Sequence, residues 1–263
     1  MSRISLAFFV LALAGVGACG LDVVGITSTE GPSLGSDGTG DDVSGDGSTT
    51  EPSPSDDGGS PDAMREAEVD VPSPLLTLSM GQPPPEVDLE LEGTSAWIHW
   101  GRTKNDEDSL NEKASAPGAI PTFTLTGSTD LRTYEDNFTT FRWTNGTPTA
   151  SENGTKHGVY SKTDKPKFTL RRKVGTTSAM RMVVYAGVFK ATGRFSASLG
   201  AGPVPAPVST ELDNTNKGYG RFVVDYRALD PESELEITWE LTNAYDPNNS
   251  NVTLAAATLM PVL

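Results

Sequence analysis

Hydrophobic and polar positions divide the 263-residue chain into three stretches. Residues 4–13, ISLAFFVLAL, form an uncharged apolar run just after Arg3, and small residues follow it. A bilayer span needs ~20 apolar residues, so this run predicts a secretory signal rather than a membrane helix. From residue 20 to about residue 74 apolar positions thin out, and no aromatic occurs between Gly20 and Ala96. From residue 75 onward the pattern turns strand-like. VDLELE at 87–92 alternates apolar and charged with period two, the signature of a strand with one buried face. Comparable runs lie at 96–100, 122–126, 138–143, 167–171, 180–189, 194–199, 221–226, 235–241 and 252–259, separated by Gly, Asn, Asp and Pro clusters. The nearest helical candidate, 107–114, is polar and short. Ten short strands in one stretch of this length predict an all-β domain, an antiparallel β-sandwich of jelly-roll type with a single core.

Charge sharpens the division. The formal net charge is −15, and residues 20–75 hold thirteen Asp or Glu against one Arg, leaving the rest of the chain close to balance. A Gly, Ser, Thr, Asp and Pro segment of this kind buries too little apolar surface to offset an ordering cost of ~1–2 kcal/mol per residue, so it is expected to be disordered. Its 55 residues, 20–74, would reach roughly 40 Å as a neutral Gly-rich chain and further when self-repelling. Its Asp-Gly pairs lack the ligand spacing of a calcium loop. With no basic surface to neutralise phosphates, nucleic acid is excluded as a partner. One Cys excludes an internal disulfide framework, a multi-Cys zinc site and a CxxC redox pair, and no cofactor is implied.

Val16-Gly17-Ala18-Cys19 resembles the lipobox of bacterial lipoproteins, in which a branched apolar residue and two small ones precede a cysteine that is lipidated and becomes the first mature residue. The resemblance implies a signal peptide at 1–18, a lipidated Cys19 followed by a disordered acidic linker at 19–74, and a β-sandwich domain at 75–263. The membrane is then a partner through the anchor, whose acyl chains contribute ~0.8 kcal/mol per buried methylene. Gly20, where an Asp would signal inner-membrane retention in enterobacteria, implies the outer membrane or cell surface.

Four phrases carry a second resemblance: Trp97-Ile98-His99-Trp100-Gly101, the segment from Phe141 to Pro148 (FRWTNGTP), Val184-Tyr185-Ala186-Gly187, and 251–259 (NVTLAAATL). They are similar to a β-sandwich module that recurs in secreted modular bacterial proteins, placed among galactose-binding-like or carbohydrate-binding-module-like jelly rolls. The likeness runs from about 86 to 259, and its motifs read as structural. Phe189 stands where the module usually has an indole.

On a strand at 96–100, Ala96, Ile98 and Trp100 share one face and are expected in the core, which puts Trp97 and His99 on the other. An indole beside an imidazole suits carbohydrate, because an aromatic plane stacks on a pyranose and polar neighbours bond its hydroxyls. Arg142 and Tyr185 are further candidate ligand-binding residues, with Tyr219 and Tyr226 of the same grade; Trp143 shares a face with Phe141 and is expected in the core. Only His99 and His157 are present, with neither a Gly-x-Ser-x-Gly elbow nor an HExxH pair, so the domain is not expected to be an enzyme. The expected function is noncatalytic binding with a glycan as ligand; the alternative is a structural or protein–protein adhesion module, binding a surface protein and lacking a small-molecule site. Exposure of Trp97 and Trp143 separates the two.

The anchor is testable from sequence alone. Cys19→Ala is expected to release the protein from the membrane fraction or to leave its precursor unprocessed. Membrane association with normal signal cleavage in that variant would disprove the lipidation.

Overall fold

The computed structural model describes residues 72–102, 109–162, 164–200 and 204–262. The signal, Cys19 and nearly all of the acidic linker lie outside the described residues. Fifteen strands and one helical turn follow in chain order: β1 (Leu75–Gly81), β2 (Glu86–Asp88), α1 (Leu89–Glu92), β3 (Ala96–Trp100), β4 (Leu110–Lys113), β5 (Thr124–Thr126), β6 (Leu131–Tyr134), β7 (Thr140–Trp143), β8 (Gly146–Thr147), β9 (Glu152–Thr155), β10 (Gly158–Lys162), β11 (Lys167–Lys173), β12 (Met180–Leu199), β13 (Val208–Arg227), β14 (Glu234–Ala244) and β15 (Asn251–Pro261). The domain is all-β, an antiparallel β-sandwich of the curled, jelly-roll kind; β2 and β7 form its one parallel pair among the described residues.

The two layers of the sandwich are parts of one twelve-stranded sheet that folds over its own core. The hairpin β12–β13 belongs to both. Residues 180–189 of β12 lie between 217–226 of β13 and 251–261 of β15, in what we call the front layer. Residues 191–199 lie between 208–214 of β13 and β14, with β11 and β5 beyond, in the back layer. Between the two halves the register shifts at Lys190, which takes a left-handed φ of 50°. Two steps along β12, from Phe189 to Ala191, match three along β13, from Lys217 to Asn214, and this shift exchanges the faces of β12. Met182, Val184 and Val188 point into the core before it, Phe195, Ala197 and Leu199 after it. The layers meet through Phe195 stacked on Phe222 (4.4 Å, 4° between planes) and Phe222 against Trp239 (5.3 Å).

The strand expected over 87–92 is shorter than its alternation suggested. It stops at Asp88, whose carboxylate accepts from the N–H groups of Glu90 (3.0 Å) and Leu91 (3.2 Å) and so caps the single turn α1. The runs at 180–189 and 194–199 are one strand, not two. The polar 208–220 stretch, not expected as a strand, extends β13 to twenty residues.

A second, small sheet, β2-β7-β9, covers part of the outward face of the front layer. Val87, Leu89, Phe141 and Trp143 from the cover close on Trp97, Val183, Tyr185 and Ala256 beneath. Trp97 is 1% exposed and Trp143 2%, with ring centroids 5.4 Å apart. Trp97→Ala is therefore expected to cost about 3–5 kcal/mol of stability, as a large aromatic lost from a packed interior does. A loss below about 1 kcal/mol in urea unfolding would contradict this placement.

Candidate functional site

Three of the four sequence candidates meet, but inside the protein. Trp97 donates its indole N–H to Glu90 (2.9 Å), and Glu90 also pairs with the buried Lys113 (3.0 Å). Tyr185 donates its hydroxyl to Glu92 (2.8 Å), which accepts from Arg221 (2.6 Å) and Thr258 (3.1 Å) as well. The two carboxylates of α1 thus fasten the cover to the front layer. His99 is 0% exposed, its ring 5.5 Å from Phe141 and 5.2 Å from Trp143. Arg142 points away from this interface and pairs with Glu86 (2.8 Å) and Asp88 (3.2 Å), tying β7 to β2. Tyr226 is in the main core and accepts from Arg172 (2.8 Å).

The exposed platform expected at Trp97 and His99 is therefore absent. The face assignment held, since Ile98 and Trp100 point into the sandwich and Trp97 the other way. The accessibility failed because β2-β7-β9 lies on the second face. Tyr185 and Tyr226 are likewise closed to a ligand, and Arg142 serves the cover.

Beyond the edge of the cover the same outward face is open. One ladder row crosses four strands there, Tyr160 of β10 opposite Thr253 of β15, Thr253 opposite Gly187 of β12, and Gly187 opposite Tyr219 of β13. Three strand spacings separate its ends, about 14 Å. Tyr160, Thr253 and Tyr219 of this row line an open cleft of about 210 Å³, which Tyr134, Asp136, Phe189 and Lys217 help to complete.

Glycine sets the geometry of two of these tyrosines. A Cβ on Gly187 would stand 3.1 Å from Cδ1 of Tyr219 and 2.8 Å from Oγ1 of Thr253. A Cβ on Gly158 would stand 2.5–2.6 Å from the Tyr134 ring. Each glycine is the cross-strand partner of the tyrosine it accommodates. Without side chains at 158 and 187 both rings can lie down across the sheet instead of standing on it. Tyr134, Tyr160 and Phe138 were not singled out from sequence, because pairing register is invisible there. Tyr219 was named, and the Phe189 that departs from the module's usual indole lines the cleft.

The cleft is mainly apolar, and the charges at it are balanced. Lys217 pairs with Asp136, and the Tyr219 hydroxyl donates to the Asp136 carbonyl (3.1 Å). Burial, and then the neighbouring Asp136 carboxylate, push the Tyr219 phenol up from its ordinary range, and burial does the same to Tyr134. Both remain O–H donors at neutral pH. The side-chain oxygens of Asn251 and Thr253 are buried at the cleft without a hydrogen-bond partner.

A second polar depression holds Arg102, Glu135, Glu152 and His157. Thr155 Oγ1 lies 2.7 Å from His157 Nδ1, and Glu135 lies 3.9 Å from Nε2. The same Thr155 oxygen accepts the His157 backbone N–H (3.2 Å), and the Glu135 side chain is 84% exposed. This is a local turn, without a held carboxylate to orient the imidazole. No group of three or more His, Cys, Asp or Glu able to hold a metal occurs among the described residues.

No protein-family model matches the chain, and no curated protein matches it. Among solved structures, the carbohydrate-binding module TmCBM61, solved with β-1,4-galactotriose, is 10% identical with a TM-score of 0.36, over 55% of this chain and 92% of that one. A structure described as explaining promiscuous specificity in carbohydrate-binding modules of the β-sandwich superfamily is 9% identical with a TM-score of 0.30, over 72% and 98%. The enzymatically active domain of tailspike protein 4 of bacteriophage CBA120 is 11% identical with a TM-score of 0.35, over 53% of this chain; the chain spans about a fifth of it, 19%. Likenesses this loose assign neither a family nor a ligand.

His99 supplies a test of the covered half. Burial, then the nearby His157 and Arg102 charges, depress its pKa from 6.5 to about 3. Both ring nitrogens lack a hydrogen-bond partner. As pH falls below 6.5 the unfolded chain takes up a proton that the folded one refuses, so stability is full above that pH and declines toward pH 3. Between pH 7 and pH 5 the loss is about 2 kcal/mol. His99→Leu is expected to remove that part of the slope, read from urea unfolding at both pH values. Equal pH dependence in variant and wild type would contradict it.

Proposed function

We propose that the domain is a noncatalytic binding module for carbohydrate, that its site is the open aromatic cleft, and that Cys19 carries the lipid that holds it at the bacterial outer membrane or cell surface. The observation that carries the binding reading is the pair of tyrosines laid across glycine-bearing strands beside polar groups. A pyranose needs a flat apolar surface for its C–H face and donors and acceptors at its rim. Tyr134 and Tyr219 supply the first, and Asp136, Lys217 and the phenol hydroxyls the second. At about 210 Å³ the cleft is smaller than the ~300–1,000 Å³ of enclosed small-molecule pockets, as suits a ligand lying on a surface. An open site buries little ligand area, so affinity in the millimolar to micromolar range is expected, about −4 to −8 kcal/mol.

The burial of Trp97 and Trp143 favours a second reading, a structural or adhesion module with no small-molecule site. One experiment separates the two. The isolated 75–263 domain is expected to be retained by at least one polysaccharide in affinity electrophoresis, and Tyr219→Ala to abolish retention without lowering the thermal midpoint by more than a few degrees. Wild-type protein that no polysaccharide retains would leave the adhesion reading in its place.

A further inference from the structure

Against Tyr219, at the edge of the cleft, the fold displays a further aromatic ring. Phe138 is 48% exposed, whereas its polar neighbours Asn137 and Thr139 are 6% and 1% exposed. This inverts the usual order, in which the ring is buried and the amide and hydroxyl face water. The neighbours are buried because they bolt the β6–β7 connection. Asn137 donates its side-chain amide to the Tyr134 hydroxyl (2.9 Å) and its backbone N–H to the Lys156 carbonyl (3.2 Å). Its Oδ1 accepts from the Thr139 N–H (3.1 Å), and the Thr139 hydroxyl donates to the Pro84 carbonyl (2.8 Å). Phe138 is held outward by a fastened loop, so a ligand that covers it need not order that loop first. Its ring centroid is 6.3 Å from that of Tyr219, with 31° between the planes.

The charges around the cleft indicate what that surface accepts. Lys217 is paired with Asp136, and Lys190, 5.5 Å above the Phe189 ring, is paired with Asp246 (3.0 Å). Lys217, the cation that lines the cleft, is thus committed, as are Lys190 beside Phe189 and Arg132, which stands opposite Tyr160 and pairs with Asp130 (2.7 Å), so a carboxylate or sulfate on a sugar would meet paired cations and apolar rings.

Resting on the carbohydrate reading above, we propose that the ligand is an uncharged glycan chain of at least two residues, one unit seated at Tyr219 and the next stacked on Phe138. Binding should then rise with chain length, and Phe138 should own the increment. The test uses gluco-, galacto-, manno- and N-acetylglucosamine oligosaccharides of one to four units, with a polyuronate and a sulfated polysaccharide, titrated into the 75–263 domain after the thermal midpoint of each variant is checked. Affinity is expected to rise about three- to tenfold from one unit to two, the range for one added aromatic contact. Phe138→Ala should remove that step with single-unit affinity unchanged, Phe138→Tyr should retain it, and added salt should leave it unaltered. A step that persists in Phe138→Ala, or tighter, salt-sensitive binding of the anionic polymers, overturns this proposal while the carbohydrate reading stands. Absence of binding to every sugar overturns both.

Discussion

The fold depends on one register shift between its two longest strands. β12 runs for twenty residues and serves both layers, and its buried positions change parity midway, whereas those of β13 beside it keep one parity. The register shift at Lys190 supplies that change, and Lys190 is held from outside by residues of the 245–250 turn. The Lys190 carbonyl accepts from the Tyr245 N–H (2.9 Å) and the Ser250 hydroxyl (2.5 Å), while its ammonium reaches Asp246 (3.0 Å). Without the shift, Phe195, Ala197 and Leu199 would face solvent and the back layer would lose the surface it presents to Phe222. The same shift ends the front-layer half of β12 at Phe189, and Val188 and Phe189 line the cleft. The residue that closes the core therefore also sets the border of the site.

The outward face of the front layer meets two fates. Over Trp97, His99 and Tyr185 it is sealed by a three-stranded cover whose own apolar residues and the carboxylates of α1 complete a second core. Over Gly187 and Thr253 no strand lies, and the half-buried rings of Tyr160 and Tyr219 border an open cleft instead. Large rings appear in both halves, so aromatic content does not distinguish structural from binding surface. The opposing partner does. Trp97 faces Trp143, whereas Tyr219 lies over a glycine with no ring above it except the exposed Phe138.

Sequence pattern carried the fold class and much of the strand inventory, because alternation over 96–100, 167–171 and 235–241 reports burial of one face directly. It also carried which residues of β3 point together. It did not carry the site, for reasons visible at three places. Alternation tells the two faces of β3 apart but not whether something covers the second, so Trp97 and His99 read as a platform. The glycines under Tyr134 and Tyr219 are distant in the chain and become partners only through register. VDLELE alternates like a strand, yet Asp88 offers its carboxylate to the two N–H groups that follow and ends the strand there, a local competition that outweighs the pattern.

Charge connects the site to the rest of the chain. The domain's ionic groups are largely consumed in pairs across neighbouring strands, such as Arg181 with Asp225 (2.6 Å), Arg194 with Glu211 (2.9 Å) and Arg171 with Glu236 (2.5 Å). Exposed pairs of this kind contribute little stability, about 0–1 kcal/mol each, but they leave the sheet faces without a single-sign field. Affinity for the glycan proposed at the cleft would then have to come from contact rather than from long-range attraction, and contact on an open surface is weak. For a lone soluble domain that would be a poor outcome. For a domain held at a surface on a long acidic linker, as the Cys19 anchor would place it, neighbouring copies can engage successive units of one polymer. Each added engagement then proceeds at the effective concentration set by the linker instead of by bulk solution. The proposed weak contacts, the acidic linker and a polymeric ligand would be mutually consistent, because multivalent retention needs sites that release and rebind while the array as a whole holds on.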